Sequence, residues 1–218
     1  MGNPFIELNN VSKVYKKKPV LCDVNLSLER GKGYGFVGTN GSGKSMLFKV
    51  LCGFVRPTQG TIFVDGNQIG EDVDIIRDAG VIIESPNFMN DLSGFDNLLL
   101  LADIRKQIGK QQVAEVLERV GLNEAKSKKV KTYSLGMKQR LRIAQAIMEK
   151  PSILILDEPM NSLDSNAVAE FREIFKEHIQ NGGTLLMTSH HSADIEFLCD
   201  KVFEVQEGRI IDLSRKES

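Results

Sequence analysis

The chain is poor in cysteine, in net charge and in long apolar runs, and each shortage closes off a class of protein. Its three cysteines, Cys22, Cys52 and Cys199, are odd in number and lie far apart. No disulfide framework, cysteine zinc site or paired redox couple is expected from them; they read as reduced thiols packed in a core. Lys and Arg total 28 against 29 Asp and Glu, a net charge of -1, which argues against a protein-wide electrostatic grip on nucleic acid. No apolar run approaches the roughly 20 residues needed to cross a bilayer. The first residues, "MGNPFIELNN", lack a basic-then-apolar leader and the sixth-position Ser or Thr of a myristoylation site, so neither secretion nor that lipid anchor is expected. No repeat or low-complexity tract interrupts the chain. What is present, 41% hydrophobic and 26% charged residues over 218 positions, suits one α/β domain with a substantial core.

The patterning changes along the chain. "FIELNNVSKVY" carries β-branched and aromatic residues without a helical period, and in "DVNLSLERG" Val24, Leu26 and Leu28 alternate with polar residues, so both read as strands. "GYGFVG", "GTIFVDGNQI" and "AGVIIES" are further short strands. The middle reads helical. Ser93 is a candidate cap with Asp96 three residues on, and Val113, Val116, Leu117 and Val120 recur at helical spacing before Gly121. "LGMKQRLRIAQAIMEKP" is a third helix, stopped before Pro151. The last part alternates: strand "SILILD", helix "SNAVAEFREIFKEHIQNGG", strand "TLLMTS", helix "SADIEFLCD", hairpin "KVFEVQEGRII". That alternation predicts a parallel sheet covered on both faces, an α/β fold. The chain reads as a single domain, 1–218, with 1–87 and 150–218 forming the α/β core and 88–149 an inserted helical lobe.

"GTNGSGKS", Gly38 to Ser45, fits G-x-x-x-x-G-K-[ST] with a strand before it and a helix after it. Glycine lets the backbone of Gly38, Thr39, Asn40, Gly41, Ser42 and Gly43 turn its amides toward phosphate at a helix N-terminus. Lys44 adds charge against the β- and γ-phosphates, and Ser45 offers a hydroxyl to Mg²⁺. "SILILDEP" ends an apolar strand in two acids, which burial would penalise without a partner. Beside a magnesium nucleotide the pair makes sense: Asp157 on the metal, Glu158 taking a proton from the attacking water. His190 follows a third strand end, where open parallel sheets bind ligands, and is read as a partner of the γ-phosphate and that water. His178 and His191 read as ordinary hydrogen-bonded histidines.

Phosphate cradle, a helical lobe ending in Ser-x-Gly before a basic helix, then "LILDEP", "NSLD" and "TSH": this order resembles the ATP-binding subunit of an ABC transporter over nearly the whole chain. The resemblance implies the P-loop nucleoside triphosphate hydrolase fold, with an N-terminal antiparallel β subdomain and the inserted helical subdomain. It implies an ATPase using ATP and Mg²⁺ in which two subunits, expected to be identical, sandwich two nucleotides. In that family the signature loop reads Leu-Ser-Gly-Gly-Gln; here it is Tyr133, Ser134, Leu135, Gly136 and Met137, and Ser134 and Gly136 are the matches, expected to act on the partner's ATP. Tyr15 corresponds to the aromatic residue that stacks on adenine. Asn161, Ser162, Leu163 and Asp164 correspond to the loop that crosses the dimer interface, and His190 to the switch histidine.

The chain departs from the family pattern where glutamine is expected to ligate Mg²⁺ and sense the γ-phosphate; Glu84 stands there. A carboxylate can still bind the metal but adds negative charge beside the triphosphate. "IIESPNF", "NDLSGFDNL" and "YSLGMKQR" further resemble the bacterial exporters of bacitracin-like and lantibiotic peptides. That branch implies a peripheral subunit on the cytoplasmic face of the membrane, paired with a transmembrane permease and not with nucleic acid. Glu84 to Asn97 is then the expected dock, through Phe88, Met89, Leu92 and Phe95, unless these four are ordinary core of the helical lobe. Two alternatives remain: a soluble ABC-type ATPase acting on nucleic acid or the ribosome, and a nucleotide-gated binder with weak hydrolysis. A GTPase is disfavoured because no Asn-Lys-x-Asp segment is present.

Overall fold

The computed structural model describes residues 4–84 and 88–213. The first half contains strands β1 (Ile6–Tyr15), β2 (Lys18–Leu28) and β3 (Gly33–Val37), helix α1 (Lys44–Leu51), and strands β4 (Gln59–Val64), β5 (Asn67–Gln68) and β6 (Ala79–Ile82). Helices α2 (Gly94–Arg105), α3 (Lys110–Arg119) and α4 (Leu135–Ile147) follow. The chain then alternates through β7 (Ile153–Leu156), α5 (Ser165–Gln180), β8 (Thr184–Thr188) and α6 (Ser192–Leu198) to the hairpin β9 (Lys201–Gln206) and β10 (Arg209–Asp212).

Among the described residues these strands form two sheets. One is antiparallel, in the order β2-β1-β4-β5. The other runs β10-β9-β3-β8-β7-β6, parallel except for β10 at its edge. The parallel strands read as continuous apolar runs because both of their faces are covered. Successive residues of β7 show it: Leu154 and Leu156 join the core under α4 and α5, while Ile153 and Ile155 join the core shared with α1 and the antiparallel sheet. Phe36 of β3 lies in the latter core, stacked on Phe203 and edge-on to Phe48 of α1. The opposite side of β3 presents Gly33, where a Cβ would collide with the Leu198 carbonyl of α6, so this glycine sets how closely that helix lies on the sheet.

The helical stretch α2–α4 is interposed between β6 and β7, which are neighbours in the sheet. Its caps match the sequence reading. The Ser93 hydroxyl accepts from the Asp96 amide at 3.0 Å and donates to the Asp96 carboxylate at 2.6 Å. Gly121 ends the second helix region with φ 73°. Among the described residues no helix is long and apolar enough to cross a membrane. The three cysteines are free, and burial pushes the Cys52 and Cys199 thiols up to about 12, which leaves them inert packing residues.

Candidate active site

The phosphate cradle lies between the C-terminal end of β3 and the start of α1. Gly43, with φ 117°, occupies the N-cap position of α1, a backbone state that L side chains rarely adopt. The first amides of a helix have no intrahelical acceptor, so the cradle offers them to an anion. Lys44 is largely buried and folds back over the loop, donating to the carbonyls of Gly38 at 2.7 Å and Thr39 at 3.1 Å.

Parallel pairing brings the neighbouring strand ends to the same place. The Asp157 amide donates to the Ile82 carbonyl at 2.7 Å, so the end of β7 is held against the end of β6. The Ser45 hydroxyl donates to Asp157 Oδ2 at 2.5 Å, and Thr188 Oγ1 donates to Asp157 Oδ1 at 2.7 Å. The same Thr188 oxygen accepts from the Glu158 amide at 2.9 Å, holding Glu158 in a left-handed conformation with φ 51°. Glu158 Oε1 is buried without a hydrogen-bond partner; His190 Nε2 lies 3.3 Å away, within ion-pair reach but not aligned to bond it. One cleft of about 280 Å³ is lined by Asn40, Gly41, Gly43, Lys44, Ser45, Asp157, Glu158 and His190, together with Val20 and Met46. Residues far apart in sequence thus meet at one cleft.

The oxygens fit a magnesium ion of a particular kind. Ser45 and Asp157 supply a hydroxyl and a carboxylate already within bonding distance of each other. Among the described residues no group of three or more His, Cys, Asp and Glu could hold a metal unaided. Magnesium is commonly held in this way, by one or two protein oxygens with substrate phosphates and water completing the shell.

Other expected residues fall elsewhere. Glu84 does not line the cleft; its exposed carboxylate is paired with Lys49 of α1 rather than turned toward Ser45 and Asp157. Ser134 and Gly136 do not line it either. Ser134 caps α4, its hydroxyl accepting from the Met137 amide at 3.2 Å, and the adjacent Leu135 is 74% exposed. A Cβ on Gly136 would come within 3.1 Å of the Ser162 carbonyl, so the signature loop lies against the Asn161–Asp164 loop. Asp164 caps α5 by accepting from the Ala167 amide at 3.0 Å, and that bond holds its carboxyl below the usual carboxylate range. Asn161 is exposed, its amide bonded to the Glu158 carbonyl at 3.3 Å. Tyr15 is half-exposed at the β1–β2 turn, with Lys16 Nζ 5.6 Å from its ring centroid.

Three supporting residues were not singled out from sequence. Thr188 was visible only as part of "TSH". Buried Gln139 of α4 donates to the Pro159 carbonyl at 2.7 Å, tying the signature helix to the segment after Glu158. Asp194, fully buried, accepts from Arg172 and from the Ser189 hydroxyl at 2.8 Å, and Ser189 in turn accepts from the His191 amide at 3.0 Å, which fixes the loop carrying His190. No spacing rule announces such cross-chain bonds.

The expected docking segment is only partly open. Ser85, Pro86 and Asn87 lie outside the described residues. Phe88 and Phe95 pack against the core, whereas Met89 is 60% exposed. The larger apolar surface is a neighbouring groove of about 650 Å³ whose lining includes Phe54, Ile75, Val81, Leu101 and Ile104. The exposed Phe54, Ile75 and Ile104 make it an open apolar patch rather than a sealed cavity.

Comparison with known proteins assigns the chain to a family. The profile of the family described as ABC transporter matches residues 21–161. The chain is 42% identical over 206 residues to the ABC transporter ATP-binding protein YybJ of Bacillus subtilis, covering 94% of each. It is 40% identical over 209 residues to the bacitracin transport ATP-binding protein BcrA of Enterococcus faecalis, covering 95% of this chain and 68% of that one. It is 36% identical over 207 residues to the lantibiotic transport ATP-binding protein SrtF of Streptococcus pyogenes, covering 95% and 89%. Among solved structures, an ATP-binding subunit of an ABC transporter superposes with a TM-score of 0.85 at 27% identity, covering 97% of this chain and 91% of that one. The dimeric bacterial ABC transporter cassette MJ0796 gives 0.84 at 25% identity, covering 94% and 96%. The chain therefore belongs to the ABC transporter family, as an ATP-binding cassette with the ATPase activity of that family.

Proposed function

We propose that this chain is the motor of an exporter for a peptide antibiotic or similar amphiphile, working as a pair of cassettes beneath a transmembrane permease. The observation that carries the ATPase part of the reading is the cluster of Ser45, Asp157, Thr188, Glu158 and His190 around one cleft beside the phosphate cradle. The names of relatives that transport bacitracin and lantibiotics support the cargo class.

In this reading the cradle amides and Lys44 bind the β- and γ-phosphates, and Tyr15 stacks on adenine. Ser45 and Asp157 hold magnesium, which supplies neutralising charge to the phosphate oxygens when bound. Glu158 accepts the proton of the attacking water; its unpartnered buried oxygen suits that task. His190, next to it, orients the water and contacts the γ-phosphate. Ser134 and the start of α4 lie outside the chain's own cleft and act on the ATP of the second cassette, with Asn161 and Asp164 at the contact between the two. Closure of the pair around two nucleotides moves a permease helix seated in the Phe54–Ile104 groove, and hydrolysis reopens it.

The test uses the Glu158→Gln protein, which binds ATP without consuming it. Light scattering should report a shift from monomer to dimer on adding ATP, and Ser134→Arg in the same background should abolish it. ATP binding that leaves the chain monomeric would refute a self-sufficient pair.

A further inference from the structure

We propose that Lys49 is a positioning residue for the nucleotide site: it holds the carboxylate of Glu84 and cancels its charge, so that a triphosphate can enter beside an acid where the family expects an amide. The inference rests on the nucleotide-site reading above and adds a residue to it.

The geometry begins on α1. Ser45 and Lys49 are four residues apart, hence on one helix face, a turn from each other. Each bonds the acid at the end of a neighbouring strand. Ser45 reaches Asp157 just past β7, and Lys49 reaches Glu84 just past β6, at 2.5 Å in both cases. These strand ends are themselves adjacent, since Ile82 pairs with Leu156 and accepts from the Asp157 amide. The helix that opens at the phosphate cradle is therefore fastened by two rungs to the edge of the cleft. Glu84 adopts φ 59°, an unfavourable state for a glutamate, so its local conformation needs a contact to hold it.

Charge explains why the contact matters for binding. Glu84, Asp157 and Glu158 bring three carboxylates to two adjacent strand ends, where a triphosphate adds more negative charge. The Lys49 side chain is 25% exposed, so its ammonium is partly shielded from water and its field is less screened than that of a freely hydrated lysine. With Lys49 removed, the Glu84 carboxylate is released and repels the incoming nucleotide, most strongly when no magnesium is present to neutralise it.

The experiment measures ATP affinity by titration calorimetry or fluorescent-nucleotide displacement, with magnesium and with EDTA, at low and high salt. Lys49→Met should weaken magnesium-free ATP binding about threefold to tenfold at low salt, and the loss should shrink at high salt. Lys49→Arg should bind as wild type does. Adding Glu84→Gln to Lys49→Met should restore affinity, which a merely structural role for Lys49 would not allow. Unchanged affinity in Lys49→Met, or failure of Glu84→Gln to rescue it, would overturn the proposal while leaving the nucleotide site standing. Failure of the wild-type chain to bind ATP would refute both.

Discussion

At the scale of single residues, the Thr188 hydroxyl ties together the two acids to which the proposed chemistry is assigned. It is fully buried, donates to Asp157 and accepts from the Glu158 amide, so one oxygen sets both the carboxylate proposed to hold magnesium and the backbone bearing the proposed base. Thr188→Val keeps the shape and removes both bonds, leaving the part-buried Asp157 Oδ1 and Glu158 amide without this partner. Magnesium-dependent ATP turnover should fall about tenfold to a hundredfold, the range seen when partners of metal ligands are lost. Thr188→Ser should keep most of the activity. A Thr188→Val protein turning over at the wild-type rate would mean that Ser45 alone orients Asp157. The neighbouring residues Lys44, Ser45, Asp157 and Glu158, which line one cleft, were singled out from the primary structure by residue type and strand-end context. Thr188, Gln139 and Asp194 were not, because their bonds join segments whose sequence separation carries no pattern.

At the scale of elements, α5 and β8 are joined by a tight return in which the His178 ring lies against Gly183 and its Nε2 is 3.2 Å from the Thr184 carbonyl. Burial lowers the His178 pKa below its ordinary 6.5, with the carbonyl opposing that shift. Above the unfolded value the imidazole is neutral in both states and pH has no effect through it. As pH falls below that value, the unfolded chain takes up a proton that the folded chain resists, so stability is lost progressively down to the folded pKa. The urea midpoint should therefore drop as pH falls below 6.5, and His178→Leu should flatten that drop even if it lowers stability at neutral pH. Equal slopes in the two proteins would remove His178 from the acid response. The element also bears out the plain reading of His178 as a hydrogen-bonded histidine, in contrast to His190 at the opposite end of the same strand.

At the scale of the molecule, β6 links the apolar groove to the strand whose end carries Asp157 of the nucleotide cleft. β6 lines the groove through Ala79, Gly80 and Val81 and ends against the Asp157 strand. A helix seated in the groove would therefore feel movement at the cleft edge through one short strand. Ile104 is 76% exposed, so Ile104→Asp should change the stability of the free chain by no more than about 0.5 kcal/mol. Its ATP affinity should be unchanged, while its capture by a co-expressed transmembrane subunit should be lost. Capture that survives this substitution would place the dock elsewhere, with the exposed Met89 the next surface to test.

Local chemistry made much of the architecture readable before any coordinates. Apolar runs of strand length alternating with amphipathic helices specify a covered parallel sheet, because each pattern can bury its side chains in only one kind of layer. The phosphate cradle is similarly local, since strand, glycine loop, lysine and helix start are consecutive. Tertiary packing settled what depends on distant segments meeting. It brought Ser45 to Asp157, laid the signature loop beside Ser162 and away from its own cleft, and turned Glu84 toward Lys49 instead of toward the Ser45 and Asp157 oxygens. It also buried Phe88 and Phe95 and opened a groove lined by Phe54 and Ile104. An apolar residue's type says that it avoids water, whereas which surface covers it depends on the approach of segments that no periodicity relates.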